Sequence, residues 1–417
     1  MVAPERLPIA VLMHDGFYGC GTGAGTSNRT LLQELLAHSS PSTDVLVMPI
    51  RLDPSSSEYD ESWHAATKAL LAQTGSMVEP LDNGTNGQLR FGGLTTFHRV
   101  AHDAAQRLHR RYAGTHTVPW IIALDVPFLD LGSVLGPELA RRLILVPRST
   151  ARIHVPDDLD RVAWESAALH NATNRGARVA AISAYMRSHL QTDYTVDARH
   201  IIDLPNGLVD ADWRQPAVQA LPLLPPQGAD GFMLCMGRAT RYKGFDDLLD
   251  ALQHLQREDV PLPHTVLAAV TDGPEVSDYQ QHLARRIQRE RLDVSLITSF
   301  SPAVRALLWH PALCAVVVAS QAEPFGRIPI EAHAAGAAPV VTTTAGGLSD
   351  QVIDGVTGYT CNPHDPIGLA AAVQRALSLC PEARLQMRDR AVRDVRRRFD
   401  HSAAVRTFVK QLARLGA

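Results

Sequence analysis

Hydrophobic positions along the chain fall into short runs rich in β-branched residues, separated by longer stretches with helical spacing. In the first half the runs lie at 9–13, 44–48, 120–124, 143–146, 179–182 and 201–204, with helical stretches between them such as 30–37, 96–112 and 160–172. The second half repeats the alternation, with strands expected at 232–236, 265–270, 294–298, 315–319 and 339–342. Its helices are expected at 245–255, 278–290, 303–309, 328–335 and 366–378. Apolar strands alternating with helices predict parallel sheets covered on both faces. A proline-crowded break, with Pro216, Pro222, Pro225 and Pro226, divides the two series. The expected fold class is therefore α/β, two doubly wound Rossmann-like domains over 1–207 and 208–395, facing across a cleft at the carboxyl ends of their strands. The stretch 74–93 carries Gly75, Gly84, Gly87, Gly92 and Gly93 and reads as a long mobile loop of the kind that often serves function.

Composition narrows the classes. A chain of 417 residues exceeds one ordinary core, and 45% apolar with 20% charged residues is usual for a globular protein. A net charge of -3 argues against a nucleic-acid or anionic-membrane binder. The basic runs 107–111 and 396–398 read as solvated helix faces. No apolar run approaches a bilayer span and no signal-peptide core opens the chain, so a cytoplasmic protein is expected. The five cysteines, at 20, 235, 314, 361 and 380, show no metal-ligand spacing and fit a reducing compartment. The Ala- and Arg-rich composition points to a high-GC bacterium.

Three motifs carry candidate chemistry. Glu323-Pro-Phe-Gly-Arg-Ile-Pro-Ile-Glu331 follows the strand expected at 315–319 and sets one carboxylate in a loop and a second early in a short helix. Pro329 suits the first turn of that helix, and Gly326 allows close approach of a ligand to the backbone. Ionised carboxylates accept hydrogen bonds from adjacent hydroxyls, so such a pair can hold two diols. Arg238 and Lys243 lie in the loop after strand 232–236, where a guanidinium and an ammonium could neutralise a departing diphosphate. The run Gly19-Cys-Gly-Thr-Gly-Ala-Gly25 follows the first strand and matches neither G-x-G-x-x-G nor a P-loop, which disfavours a Rossmann cofactor site. Each of these, alone, also has a bland reading: surface glutamates, solvated loop cations, a tight turn. Asp125, at the end of strand 120–124, reads equally as a base or acceptor contact and as a turn-capping carboxylate. The eighteen histidines form no metal-binding pattern, and no Asp-x-Asp stands where a metal-held diphosphate would need it.

Taken together, the pieces resemble the retaining family-4 glycosyltransferases of GT-B fold, the group that shares its donor site with glycogen and sucrose synthases. The resemblance rests on Ala181-Ile-Ser-Ala-Tyr-Met-Arg-Ser-His-Leu190, Pro205-Asn-Gly-Leu-Val-Asp210, Gly237-Arg-Ala-Thr-Arg-Tyr-Lys-Gly244 and Thr271-Asp-Gly-Pro-Glu275. The block from Glu323 to Val341, Gly346-Gly-Leu-Ser-Asp350 and Gly355-Val-Thr-Gly358 complete it. It implies that Glu323 contacts the donor sugar's hydroxyls and Glu331 the ribose, with backbone amides at Phe325, Gly326 and Arg327 also facing the sugar. It assigns the diphosphate to Arg238 and Lys243, and to Gly21 and Gly23 a loop closing over the donor phosphates and the acceptor. It implies that the last helix, about 396–417, returns to the first domain. One departure stands out: many relatives place a histidine after the strand corresponding to 143–146, where this sequence has Pro147-Arg-Ser-Thr150. Arg148 stands there instead, and the acceptor side should differ accordingly.

The implied activity is transfer of a hexosyl group from a nucleotide diphosphate sugar, with UDP as the expected carrier, to a hydroxyl of a small-molecule or glycan acceptor. Configuration would be retained, and a leaving phosphate oxygen would take the acceptor's proton. Arg238 and Lys243 would stand in for a metal, and no cofactor is expected. Expected partners are the small-molecule donor and acceptor, with no nucleic acid. The rival readings are a nucleotide-sugar epimerase or hydrolase, a phosphorylase-like enzyme, and a non-catalytic nucleotide-sugar binder.

Overall fold

The computed structural model describes residues 8–20, 22–38, 44–115, 117–217, 224–271, 275–337 and 339–416. The chain divides into two compact units, one of residues 1–206 and 401–417, the other of 207–400.

The first unit is built on seven parallel strands: β1 (Ile9–Met13), β2 (Val45–Pro49), β3 (Met77–Val78), β4 (Trp120–Leu124), β5 (Leu143–Val146), β6 (Arg178–Ala181) and β7 (Ile201–Asp203). Their order is β3-β2-β1-β4-β5-β6-β7. Every residue of β1, β2, β4 and β5 is buried, as expected of strands covered on both faces. The order reverses between β1 and β4. Such a switch point is where open parallel sheets bind ligands, just beyond the carboxyl ends of the strands. The last helix, His401–Gly416, packs against the helix Gly23–His38 with Val405, Phe408 and Leu412 turned inward at helical spacing.

The second unit has six parallel strands: β8 (Phe232–Arg238), β9 (His264–Thr271), β10 (Val294–Ser299), β11 (Leu313–Val318), β12 (Val340–Thr343) and β13 (Gly358–Cys361). Their order, β10-β9-β8-β11-β12-β13, puts the switch point between β8 and β11. The helix Phe245–Arg257 shows how the sheet is covered: Phe245, Leu248, Leu249, Leu252 and Leu255 are buried on one stripe, and Asp246 and Asp247 suit its amino-terminal turn.

Three sequence expectations differ from the structure. The segment read as one helix from 396 is two, Pro381–Arg398 and His401–Gly416. The break falls at Phe399 and Asp400, where the Phe399 carbonyl accepts from the Leu208 amide and its ring meets Phe325. The helix 303–309 is a short α-turn, Pro302–Ala306, running into a tighter 3-10 turn, Leu307–Trp309. The loop expected to be mobile is pinned. Arg90 reaches the buried Asp15 and also Glu58, Asn83 Nδ2 donates to the Leu89 carbonyl, and the Asp82 amide donates to Asp103.

Candidate functional site

At the switch point of the second sheet, β8 ends on Arg238, which is exposed. A 3-10 turn, Arg241–Lys243, follows and closes on Gly244 at φ 67. A Cβ at Gly244 would lie 1.9 Å from the Ala319 carbonyl oxygen, so glycine is required for the turn to seat against the end of β11. The two loops are stitched further by the Gln321 amide, which donates to the Tyr242 carbonyl at 2.7 Å, and by Gln321 Nε2, which donates to Asp247 at 2.7 Å. This brings Lys243 Nζ onto Glu323 Oε1, which also accepts from Ser320 Oγ at 3.1 Å. Both charged side chains are largely buried. Burial lowers the pKa of the Lys243 ammonium, but the Glu323 carboxylate more than reverses this and holds it above the ordinary lysine value. The Arg238 charge acts against the same ammonium.

The rest of the loop is equally fixed. The Glu323 carbonyl accepts from the Gly347 amide at 2.8 Å, and the Phe325 carbonyl accepts from Gln351 Nε2. Gly326 sits at φ 80 with Leu348 beside it. The helix Ile328–Ala334 then places Glu331 so that Arg327 Nε donates to it at 2.9 Å, with Arg305 Nε 3.5 Å from its other oxygen. Arg327 also donates to the Gly207 carbonyl and to Asp212. Burial alone would lower its pKa, but the Glu331 and Asp212 carboxylates raise it.

At the switch point of the first sheet Gly16 and Gly25 are packed closely. A Cβ at Gly16 would lie 2.3 Å from the Gly25 carbonyl oxygen, and one at Gly25 would fall 2.6 Å from the Asp15 carboxylate. Asp15 is the hub: it accepts from the Gly16 amide, from Thr22 Oγ1 at 2.7 Å and from Arg90. Asp125 leaves β4 at φ 83, accepts from the Val126 amide at 2.8 Å and lies 3.4 Å from His14 Nδ1. Burial pushes its pKa up, but the His14 contact, the Val126 amide and the charge of Arg148 together take it below the ordinary aspartate value. Arg148 is buried and turned inward, its guanidinium donating to Asn28 at 2.8 Å, Asn206 at 2.6 Å and the Ser27 carbonyl at 3.3 Å.

Residues 224–394, within the second unit, match the family model described as Glycosyl transferases group 1. The second unit is a group 1 glycosyl transferase domain. The glycogen synthase of Mycobacterium tuberculosis (strain CDC 1551 / Oshkosh) is 32% identical over 215 residues, 51% of this chain and 47% of that relative. The D-inositol 3-phosphate glycosyltransferase of Frankia alni is 31% identical over 227 residues, 53% of this chain and 54% of that relative. The chain thus spans about half the length of the relatives it matches. Among solved structures, Anabaena HepE in complex with UDP and glucose superposes with a TM-score of 0.69 at 20% identity, over 98% of this chain and 100% of that one. The sucrose-phosphate synthase of Thermosynechococcus elongatus does so with a TM-score of 0.74 at 22% identity, over 98% of each. The fold is GT-B.

Within the glycosyl transferase domain the structure brings Lys243, Glu323 and the end of β8 at Arg238 to one corner, and pairs Glu331 with Arg327 beside it. Of the motif from Thr271 to Glu275, residues 272–274 lie outside the described residues. Gly21 also lies outside them, whereas Gly23 opens the helix Gly23–His38 with nothing within 4 Å of a Cβ built on it. Asp125 stands at the edge where a ligand is expected, and Arg148 serves as a buried strut. Sequence reasoning missed His14, a single histidine after a strand with no partner nearby in the chain. Among the described residues, no cluster of three or more His, Cys, Asp or Glu side chains is arranged to hold a metal, and no helix is long and apolar enough to cross a membrane.

Proposed function

We propose that the chain transfers a hexosyl group from a nucleoside diphosphate sugar, UDP-linked by preference, to a hydroxyl of a small-molecule or glycan acceptor. The observation that carries this reading is the Lys243–Glu323 pair at the β8/β11 switch point, beside Arg238. Each charge compensates the other, which avoids the large cost of a bare buried ion. With donor present, Lys243 and Arg238 turn to the diphosphate and neutralise the charge that grows as it leaves, while Glu323 accepts from the sugar's hydroxyls. Backbone amides at Phe325, Gly326 and Arg327 face the same sugar, and Glu331, oriented by Arg327, accepts from the ribose diol. Gly21 and Gly23 close over the phosphates. The two arginine and lysine charges do the work of a metal. The anomeric configuration is retained, with attack from the face the diphosphate leaves and a leaving phosphate oxygen as proton acceptor.

A thermal-shift screen against UDP-, GDP-, ADP- and dTDP-sugars tests the donor. A ligand at about 100 times its Kd stabilises the fold by about 2.7 kcal/mol, so one nucleotide series should raise the unfolding midpoint and the others should not. No shift with any of them overturns the proposal. Proton NMR of the product's anomeric centre then reads retention directly.

A further inference from the structure

His14 has no part in the donor reading. It is the first residue beyond β1, as Asp125 is the first beyond β4, and Met13 and Leu124 are register partners, so the two side chains leave the sheet together at the switch point. Asp125 is held at φ 83, a conformation few residues other than glycine adopt. One of its oxygens accepts from the Val126 amide and the other faces His14 Nδ1 at 3.4 Å. When Nδ1–H donates to that carboxylate, the ring's lone pair is left on Nε2. The side chain is nine-tenths buried, and Nε2 has no hydrogen-bond partner among the described residues. A buried polar atom without a partner is costly, so a ligand hydroxyl reaching Nε2 gains a bond that none of the described residues supplies. The Phe91 ring lies 5.3 Å from the imidazole, is itself partly exposed, and is followed by Gly92 and Gly93. It is the group such a ligand would displace.

We propose that His14 is the acceptor-hydroxyl anchor of the transferase, that Asp125 is its positioning residue, and that the acceptor is an uncharged sugar or polyol where it meets them. Beside His14 stand two carboxylates, Asp15 and Asp125. Of the neighbouring cations, Arg90 donates to Asp15 and Glu58 and Arg148 to Asn28, Asn206 and the Ser27 carbonyl. An ionised phosphate or carboxylate has no proton to give a lone pair on Nε2; a hydroxyl would donate to the ring. This inference rests on the transferase reading.

The test uses the full chain and the nucleotide sugar found by the screen. Donor Kd is measured by calorimetry, and acceptor kcat/KM with fructose and myo-inositol against their monophosphates. His14→Phe keeps a flat ring without nitrogen and should lower acceptor kcat/KM about 10- to 100-fold, with donor Kd and unfolding midpoint unchanged. His14→Gln, whose amide oxygen can sit near the place of Nε2, should recover most of the loss, and the shorter His14→Asn should not. Asp125→Asn should give a smaller loss of the same kind. The wild type should prefer the uncharged member of each acceptor pair. Unchanged acceptor kinetics in His14→Phe or His14→Asn, or a preference for the phosphorylated acceptors, overturns the inference while leaving the transferase reading intact. A wild type that binds no nucleotide sugar overturns both.

Discussion

The two switch points share their topology and differ in what they hold ready. Between β8 and β11 the chain presents a lysine and a glutamate already paired, on loops stitched to one another by the Gln321 amide. Between β1 and β4 it presents an imidazole whose Nε2 has no hydrogen-bond partner among the described residues, beside a turn tied to Asp15. A diphosphate sugar carries charge that must be met by opposite charge, which Lys243 and Arg238 would supply. A hydroxyl acceptor carries none and needs one well-aimed lone pair. On the proposed reading, the corner between β8 and β11 is electrostatic and the first unit's corner is a hydrogen-bonding one.

The largest effect should come from Lys243→Met. It leaves Glu323 buried and unpaired, which costs about 3–5 kcal/mol of stability. It also removes a preorganised charge, which lowers kcat by about 10²–10³. These two losses separate in the double variant Lys243→Met/Glu323→Gln, in which the unfolding midpoint should recover and turnover should not. If turnover recovers along with the midpoint, the pair is structural and the contrast between the corners fails.

Acid should also tell the units apart. His333, on the helix that carries Glu331, is buried, and burial drives its pKa down to about 4, partly offset by the Asp394 carboxylate. The folded state then binds fewer protons than the unfolded chain between about pH 4 and pH 6.5. Stability from the neutral ring is full above that window and is lost as pH falls through it, by about 3 kcal/mol in all. Hydrogen exchange should show 207–400 weakening between about pH 6.5 and 4.5. His333→Gln should flatten that dependence. An equal dependence in the variant would place the acid sensitivity elsewhere.

How much of this was legible in the chain varies with its physical origin. β1, β4 and β5 were readable to the residue, because strands buried on both faces are continuous apolar runs. β3, two residues long and exposed, and β13, which begins on a glycine, carry no such signal and went unread. The candidate residues Glu323 and Glu331 were legible as a linear motif, since they are close in sequence and flanked by diagnostic neighbours. His14 was not, because its meaning lies in Asp125, 111 positions away in the chain. Arg148 was located at the right strand end, but the sequence does not tell a guanidinium aimed at a ligand from one that braces Asn28 and Asn206.

The glycine run offers the smallest effect and the finest discrimination. Gly16 and Gly25 are demanded by packing, since a Cβ on either would strike the other's carbonyl or the Asp15 carboxylate. Gly23 is not: it sits in a helix with open space where its Cβ would be. Alanine there should raise stability, by at most about 1 kcal/mol, through the lower flexibility of the unfolded chain. A glycine that structure does not require is explained if the phosphates of the donor close on it. Gly23→Ala should then raise the unfolding midpoint slightly and weaken donor binding several-fold in calorimetry, whereas Gly25→Ala should lower both. If Gly23→Ala binds donor as tightly as the wild type, Gly23 has no role at the phosphates, and the first unit's corner serves the acceptor alone.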